Sequence, residues 1–140
     1  MATTDRPRAA LGCAFFDQLS ARHVDEGGEH HVELDITDDL RGPAGSVHGG
    51  LVAMLVDVAG AYCLTVASGK LVATASTSVE YLSAGRVGPL RATGEVLRVS
   101  ANRGVARVRV IDRGKEDRPV AAALVSVSFL AGDDFVPNTS

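Results

Sequence analysis

Between Gly49 and Gly69 the chain reads GGLVAMLVDVAGAYCLTVASG, and Asp57 is the only charged residue of that stretch. The stretch is too long for a strand and has no clear polar face, so it predicts a helix buried on all sides. His48-Gly49-Gly50 introduces it, and Ser68-Gly69-Lys70 supplies a glycine stop at its end. A chain folded around such a helix holds Asp57 in an apolar neighbourhood. An ionised carboxylate without partners is costly there, so Asp57 is expected to be either paired or used. A membrane span has about this length, but a central Asp costs roughly 2.5–3.5 kcal/mol on insertion scales, which favours the core of a globular protein.

Around this helix the pattern changes. Residues 1–10 read as a loose tail, and residues 11–19, with Leu11, Phe15, Phe16 and Leu19 on one side, as one or two helical turns laid on the body. Residues 31–37 alternate, with Val32, Leu34 and Ile36 opposite His31, Glu33 and Asp35, which predicts a half-buried strand. A loop with Gly42, Pro43 and Gly45 follows. After Gly69 the period is two: residues 71–82, 90–100, 104–112 and 119–130 predict long strands. The short links 83–89, 101–103 and 113–118 predict antiparallel hairpins. Five strands and one long apolar helix make an α+β fold, one curved sheet with the helix on its concave face. A single helix cannot cover both faces, so an oligomer is expected.

The totals set outer bounds. The chain has 140 residues, read as one domain over 1–140 with its core at about 31–130; 46% hydrophobic and 22% charged residues mark a globular protein. Fourteen basic against 17 acidic residues leave no basic excess for a nucleic-acid surface. Cys13 and Cys63 form neither a disulfide framework nor a CxxC pair. The N-terminus lacks the apolar region of a signal peptide, so a cytoplasmic location, with no membrane partner, is expected.

The chemistry gathers at the helix start. Its first amides are unsatisfied donors at the positive end of the dipole and could hold a carbonyl oxygen as it gains charge. Asp57, about two turns further in, could activate water or attack directly. An equal account from the residues alone is structural: the glycines turn the chain, and Asp57 meets an Arg or a backbone amide. His30 and His31 point to opposite faces of a strand and His23 is isolated, so no metal site is expected.

The run from Gly45 to Asp57, GSVHGGLVAMLVD, resembles the signature of hotdog-fold acyl-CoA thioesterases of the phenylacetic-acid-degradation (PaaI-like) type. The likeness continues through Thr74-Ala75-Ser76-Thr77-Ser78-Val79-Glu80-Tyr81-Leu82 and covers roughly residues 32–130. The resemblance implies a five- to six-stranded antiparallel sheet wrapped around one long central helix. It implies that the Gly49 amide polarises the thioester carbonyl, that His48 shapes the turn, that Asp57 is the catalytic carboxylate, and that Thr74 helps hold the water. It further implies sites shared between two subunits of a homodimer, with a homotetramer beyond that, and no cofactor, coenzyme A being part of the substrate. Gly50, Gly42, Arg41, Arg86 and Arg103 join the substrate-binding candidates, Arg103 because Asn102-Arg103-Gly104 is a tight turn with free amides. Tyr81, also in that group, reads equally as core or subunit contact. Ala53, Gly60 and Ala61 would leave room beside the helix for an aryl or medium-chain acyl group.

One position departs from the family. Six residues before the His, where Asn or Gln usually stands, this chain has Gly42. Arg41 or an ordered water would then take over, or activity is lower, or the protein binds acyl-CoA with little turnover. The alternatives are thus a non-catalytic acyl-CoA or acyl-carrier binder and a thioesterase acting on acyl-carrier protein.

Overall fold

The computed structural model describes residues 13–134, so the expected tail at 1–10 and the start of the predicted helix at 11–19 lie outside the described residues. The part of that helix described is α1, Ala14–Gln18. Strands β1 (Ala21–Glu26) and β2 (Glu29–Leu34) follow, then a 3-10 turn at Asp38–Leu40 and helix α2 (Gly49–Ser68). Strands β3 (Lys70–Tyr81), β4 (Leu90–Val99), β5 (Arg103–Asp112) and β6 (Arg118–Asp134) complete the order.

All pairings are antiparallel, in one six-stranded sheet ordered β1-β2-β4-β5-β6-β3. Strand β1 corrects the sequence reading, which has no strand before residue 31. Gly27 and Gly28, at φ 63° and 81°, form a two-residue turn that pairs Glu26 with Glu29. Both turn residues need a positive φ, which the tight hairpin turn matched to strand twist requires. Strand β2 accordingly starts earlier than predicted and stops at Leu34.

A second correction concerns the link 83–89. Links 101–103 and 113–118 close hairpins as predicted, but β3 pairs with β6 and not with β4. The chain therefore crosses from one edge of the sheet to its middle, and β3 is left as an edge strand.

The sheet curls around α2, which is the hotdog arrangement. Val32, Leu34, Leu90, Ala106, Val108 and Val125 are fully buried against Leu55, Val56 and Leu64 of the helix. The helix is not buried on all sides, however. Its buried residues are Val52, Leu55, Val56, Ala59, Gly60, Leu64 and Thr65, whereas Leu51, Met54 and Val58 are half-buried and Val66 is exposed. One sheet covers one side of one helix; the other side faces away. The helix is long and apolar enough to cross a membrane, but its buried side is the core of this sheet.

The outer face of β2 is less open than the alternation predicts. His31 and Glu33 are buried. Arg91 Nε donates to Glu33 Oε2 at 2.6 Å, and its Nη2 donates to Glu26 Oε2 at 2.9 Å. His31 Nδ1 is hydrogen-bonded to Thr93 Oγ1 at 2.7 Å. A buried carboxylate is tolerable here because guanidinium donors satisfy it.

Gly60 also departs from expectation. A Cβ there would stand 2.8 Å from Val125 Cβ, so this position is a helix–sheet contact and leaves no room for an acyl group. Gly60→Ala overpacks that contact and is expected to cost about 1–3 kcal/mol. Chemical denaturation checks it: an unchanged midpoint would show that Val125 yields freely.

Candidate active site

His48 stands outside the helix at φ −60°, ψ 133°, and caps it. Its Nδ1 accepts the Gly50 N–H at 3.0 Å, so that nitrogen is unprotonated and the ring proton of the neutral form sits on Nε2. The His48 carbonyl takes the N–H groups of Leu51 and Val52 at 2.9 and 3.4 Å. Among the described residues the Gly49 N–H has no acceptor, which leaves one free donor at the positive end of the α2 dipole. Tyr81 Oη donates to the Gly49 carbonyl at 2.8 Å, fixing the next peptide plane. Beside Gly49 opens a cavity of about 290 Å³ lined by Val47, Val52, Tyr81, Leu82, Gly85 and Val120.

Thr74 and Asp57 meet directly: Thr74 Oγ1 donates to Asp57 Oδ1 at 2.7 Å. The carboxylate is half-buried rather than enclosed by apolar groups, which corrects the expectation from its sequence neighbours. It faces the edge strand β3, where one side of the helix is uncovered. Asp57 and Gly49 share this helix, and eight residues of helical rise separate them by about 12 Å along its axis.

The substrate-binding candidates are scattered. Arg41 Nη1 donates to the carbonyls of Gly45 at 2.7 Å and Arg86 at 3.0 Å, and its Nε bonds Asp38 at 3.3 Å. That guanidinium braces backbone. Gly42 sits in a turn: its N–H reaches Ser46 O at 2.8 Å and its carbonyl accepts from Gly45 N at 3.0 Å. A Cβ at Gly42 would meet only Ser46 O, at 3.9 Å, so a side chain fits there. Gly50 spends its amide on His48. Arg86 lies in the loop beside Gly45. Arg103 opens β5 at the other end of the molecule, where a Cβ on neighbouring Gly104 would touch Leu64 near the end of α2. Its amide is not free, since the Arg103 N–H donates to Ser100 Oγ at 3.3 Å. Within one chain Arg103 therefore stands apart from Gly49.

Two features escape the sequence. Hairpin β1–β2 brings His23 to His30, Nδ1 to Nε2 at 2.6 Å, and His30 Nδ1 to Asp25 at 2.7 Å, so His23 is not isolated. The Gly27-Gly28 turn was the available signal. Among the described residues no group of three His, Cys, Asp or Glu side chains has the geometry to hold a metal ion. The second feature is Asp112, which has no exposed surface. Its Oδ2 accepts the N–H groups of Arg86 at 2.9 Å and Val87 at 3.0 Å, and its Oδ1 that of Gly88 at 2.7 Å. Burial pushes this carboxyl up, but the amides of Arg86, Val87, Gly88 and Gly114 outweigh it and hold it below the usual range. Cys63, by contrast, is pushed up to about 11 by burial, so it stays a thiol at neutral pH.

The family model of the thioesterase superfamily matches residues 44–118. A Halobacterium salinarum protein, provisionally assigned as an esterase, is 41% identical over 91 residues, 60% of this chain and 60% of that protein. The match thus spans less than two thirds of the relative's length. Among solved structures, a Bacillus halodurans protein crystallised with CoA superposes with a TM-score of 0.80 at 21% identity, covering 94% of this chain and 86% of the other. The E. coli PaaI protein from the phenylacetic acid degradation operon gives 0.77 at 22% identity, covering 86% and 87%.

The Asp112 clasp has a pH signature. A carboxyl held low in the folded state stabilises fully above its unfolded value, about 3.9, and progressively less as pH falls through the folded value. The stability difference between wild type and Asp112→Asn is therefore expected to be largest at neutral pH and to shrink below about pH 4. Denaturation curves from pH 7 to pH 2.5 check this; a constant difference would assign the loss to packing.

Proposed function

Since this chain belongs to the thioesterase superfamily, with its residues 44–118 matching the family model, we propose that it is an acyl-CoA thioesterase with active sites shared between two copies. The observation that carries this is the separation on α2. Gly49 offers a free amide and Asp57 a carboxylate oriented by Thr74, yet about 12 Å of helix lies between them. One thioester carbonyl cannot touch both, because donor and base must each stand within about 3 Å of the reacting group. Gly49 of one copy paired with Asp57 of another resolves this. The uncovered side of α2 and the open edge of β3 are the surfaces such a copy would cover. A homodimer, or a homotetramer built from it, is the proposed assembly.

The mechanism follows from the residues. The thioester oxygen rests on the Gly49 N–H. Asp57 takes a proton from water as the water attacks the carbonyl carbon, and the Gly49 N–H holds the oxyanion. Collapse breaks the carbon–sulfur bond, and the departing thiolate receives the proton, giving acid and free thiol. Direct attack by Asp57, with water opening the resulting anhydride, ends in the same products. The structural relative solved with CoA supports coenzyme A as the carrier, and an aryl or medium-chain acyl group is the proposed payload. The proposed setting is cytoplasmic.

Free-thiol release from a panel of aromatic and straight-chain acyl-CoAs tests this. Asp57→Asn is expected to lower kcat by about 10²–10⁴-fold, the usual loss of a general base, with little change in Tm. Full turnover in that variant would remove Asp57 from the chemistry.

Gly42 favours a second possibility, an acyl-CoA binder with little turnover, since no side chain stands where the family has Asn or Gln. The open space at Gly42 makes this testable. Gly42→Gln is expected to raise kcat several-fold. Tight acyl-CoA binding without thiol release, in wild type and this variant alike, would establish the binder.

A further inference from the structure

Asp112 lies at the end of β5 with no solvent contact, and every hydrogen bond that reaches its carboxylate comes from backbone amides. Three of them belong to consecutive residues of the loop between β3 and β4. Gly114 presses on the same loop from behind: a Cβ there would stand 2.4 Å from Val87 Cγ1. Arg113 N–H adds a bond to Pro89 O at 3.0 Å. A buried charge needs full compensation, and here that compensation immobilises residues 86–88.

The far side of this loop carries the helix start. Gly85 O accepts the Val47 N–H at 2.9 Å, and Arg86 O accepts from Arg41 Nη1 at 3.0 Å. Val47 is buried, and a Cβ on Gly85 would approach its Cγ1 to 2.8 Å, so the two segments are in close contact. Val47 precedes His48 and Gly49. A continuous path of short bonds thus runs from Asp112 through the loop to the residue two before the free amide.

We infer that Asp112 is a positioning residue for the Gly49 oxyanion donor, acting through the loop 85–88 and Val47. The inference rests on the proposed thioesterase reading for its kinetic part only. Asn at this position keeps one acceptor oxygen but turns an NH₂ group toward at least one amide N–H, so the loop loses its hold. An amide donor displaced by even a fraction of an ångström stabilises the oxyanion poorly while leaving substrate binding largely intact.

The test compares Asp112→Asn with Val110→Ala, a cavity variant on the same strand that touches none of these bonds. The first readout is amide hydrogen exchange at Val47 and His48 in the full-length protein. Faster exchange at these amides in Asp112→Asn, beyond that in Val110→Ala, is expected; equal exchange in the two variants overturns the inference. The second readout is kinetic. Asp112→Asn is expected to lower kcat about tenfold or more with KM nearly unchanged, while Val110→Ala keeps kcat near wild type. An unchanged kcat in Asp112→Asn, or an equal fall in both variants, overturns the inference. Should Asp112→Asn not fold, Asp112→Glu, which keeps the charge but displaces the carboxylate by one methylene from the loop amides, replaces it with the same expected outcomes. Wild-type thiol release runs alongside: no turnover of any acyl-CoA by the wild type defeats the thioesterase reading, and the exchange data then decide the role of Asp112 alone.

Discussion

Close contact between α2 and the sheet governs where everything else stands. Gly60 lets Val125 of β6 approach the helix, and Gly94 of β4 lies so near that a Cβ would meet Ala59 O and Cys63 Sγ at 2.8 Å. These approaches set the height and rotation of α2 on the concave face. Rotation decides that Asp57 turns to the edge strand and meets Thr74, and that the helix start meets Tyr81. Larger residues at these contacts would lift the helix and separate both pairs.

Hydrophobic period locates most of the fold. Helix α2 and strands β3 to β6 are long, and a period sustained over ten or more residues is hard to mistake. Strand β1 is short and polar, with Arg22, His23, Asp25 and Glu26, and its burial comes from pairing rather than from apolar alternation. The crossing of β3 to β6 is equally hidden, because a seven-residue link can close a hairpin or pass over two strands. At the candidate site, the place of His48 and Gly49 at the helix start and of Asp57 within the helix was legible; the direct Thr74–Asp57 contact was not. Asp112 was not: a single Asp at a strand end looks like turn chemistry, and only the folded loop shows three amides converging on it. Arg41 shows the opposite case, an eligible cation whose donors the backbone had already claimed.

Three carboxylates illustrate how surroundings assign roles to one functional group. Glu33 is buried against Arg91 and Arg22, an ion-pair cluster that ties the hairpin to the outer face of the sheet. Asp112 is buried against amides alone and fastens a loop. Asp57 has one hydroxyl donor and is only half-buried, so it keeps lone pairs for other partners. Of the three it is therefore the one with acceptor positions still open.

The strand order carries a consequence for the way the molecule is assembled. Strand β3 follows α2 directly in the chain, yet its partner is β6, the last strand to be made. During synthesis the helix and β3 emerge together and then wait, while residues 82–117, which hold β4, β5 and their links, precede the segment that completes the sheet. Thr74 sits on that waiting strand, opposite Val127 of β6. Pairings so distant in sequence pay their loop-closure entropy late. A nascent chain truncated before β6 would therefore carry the entire motif with β3 still unpaired.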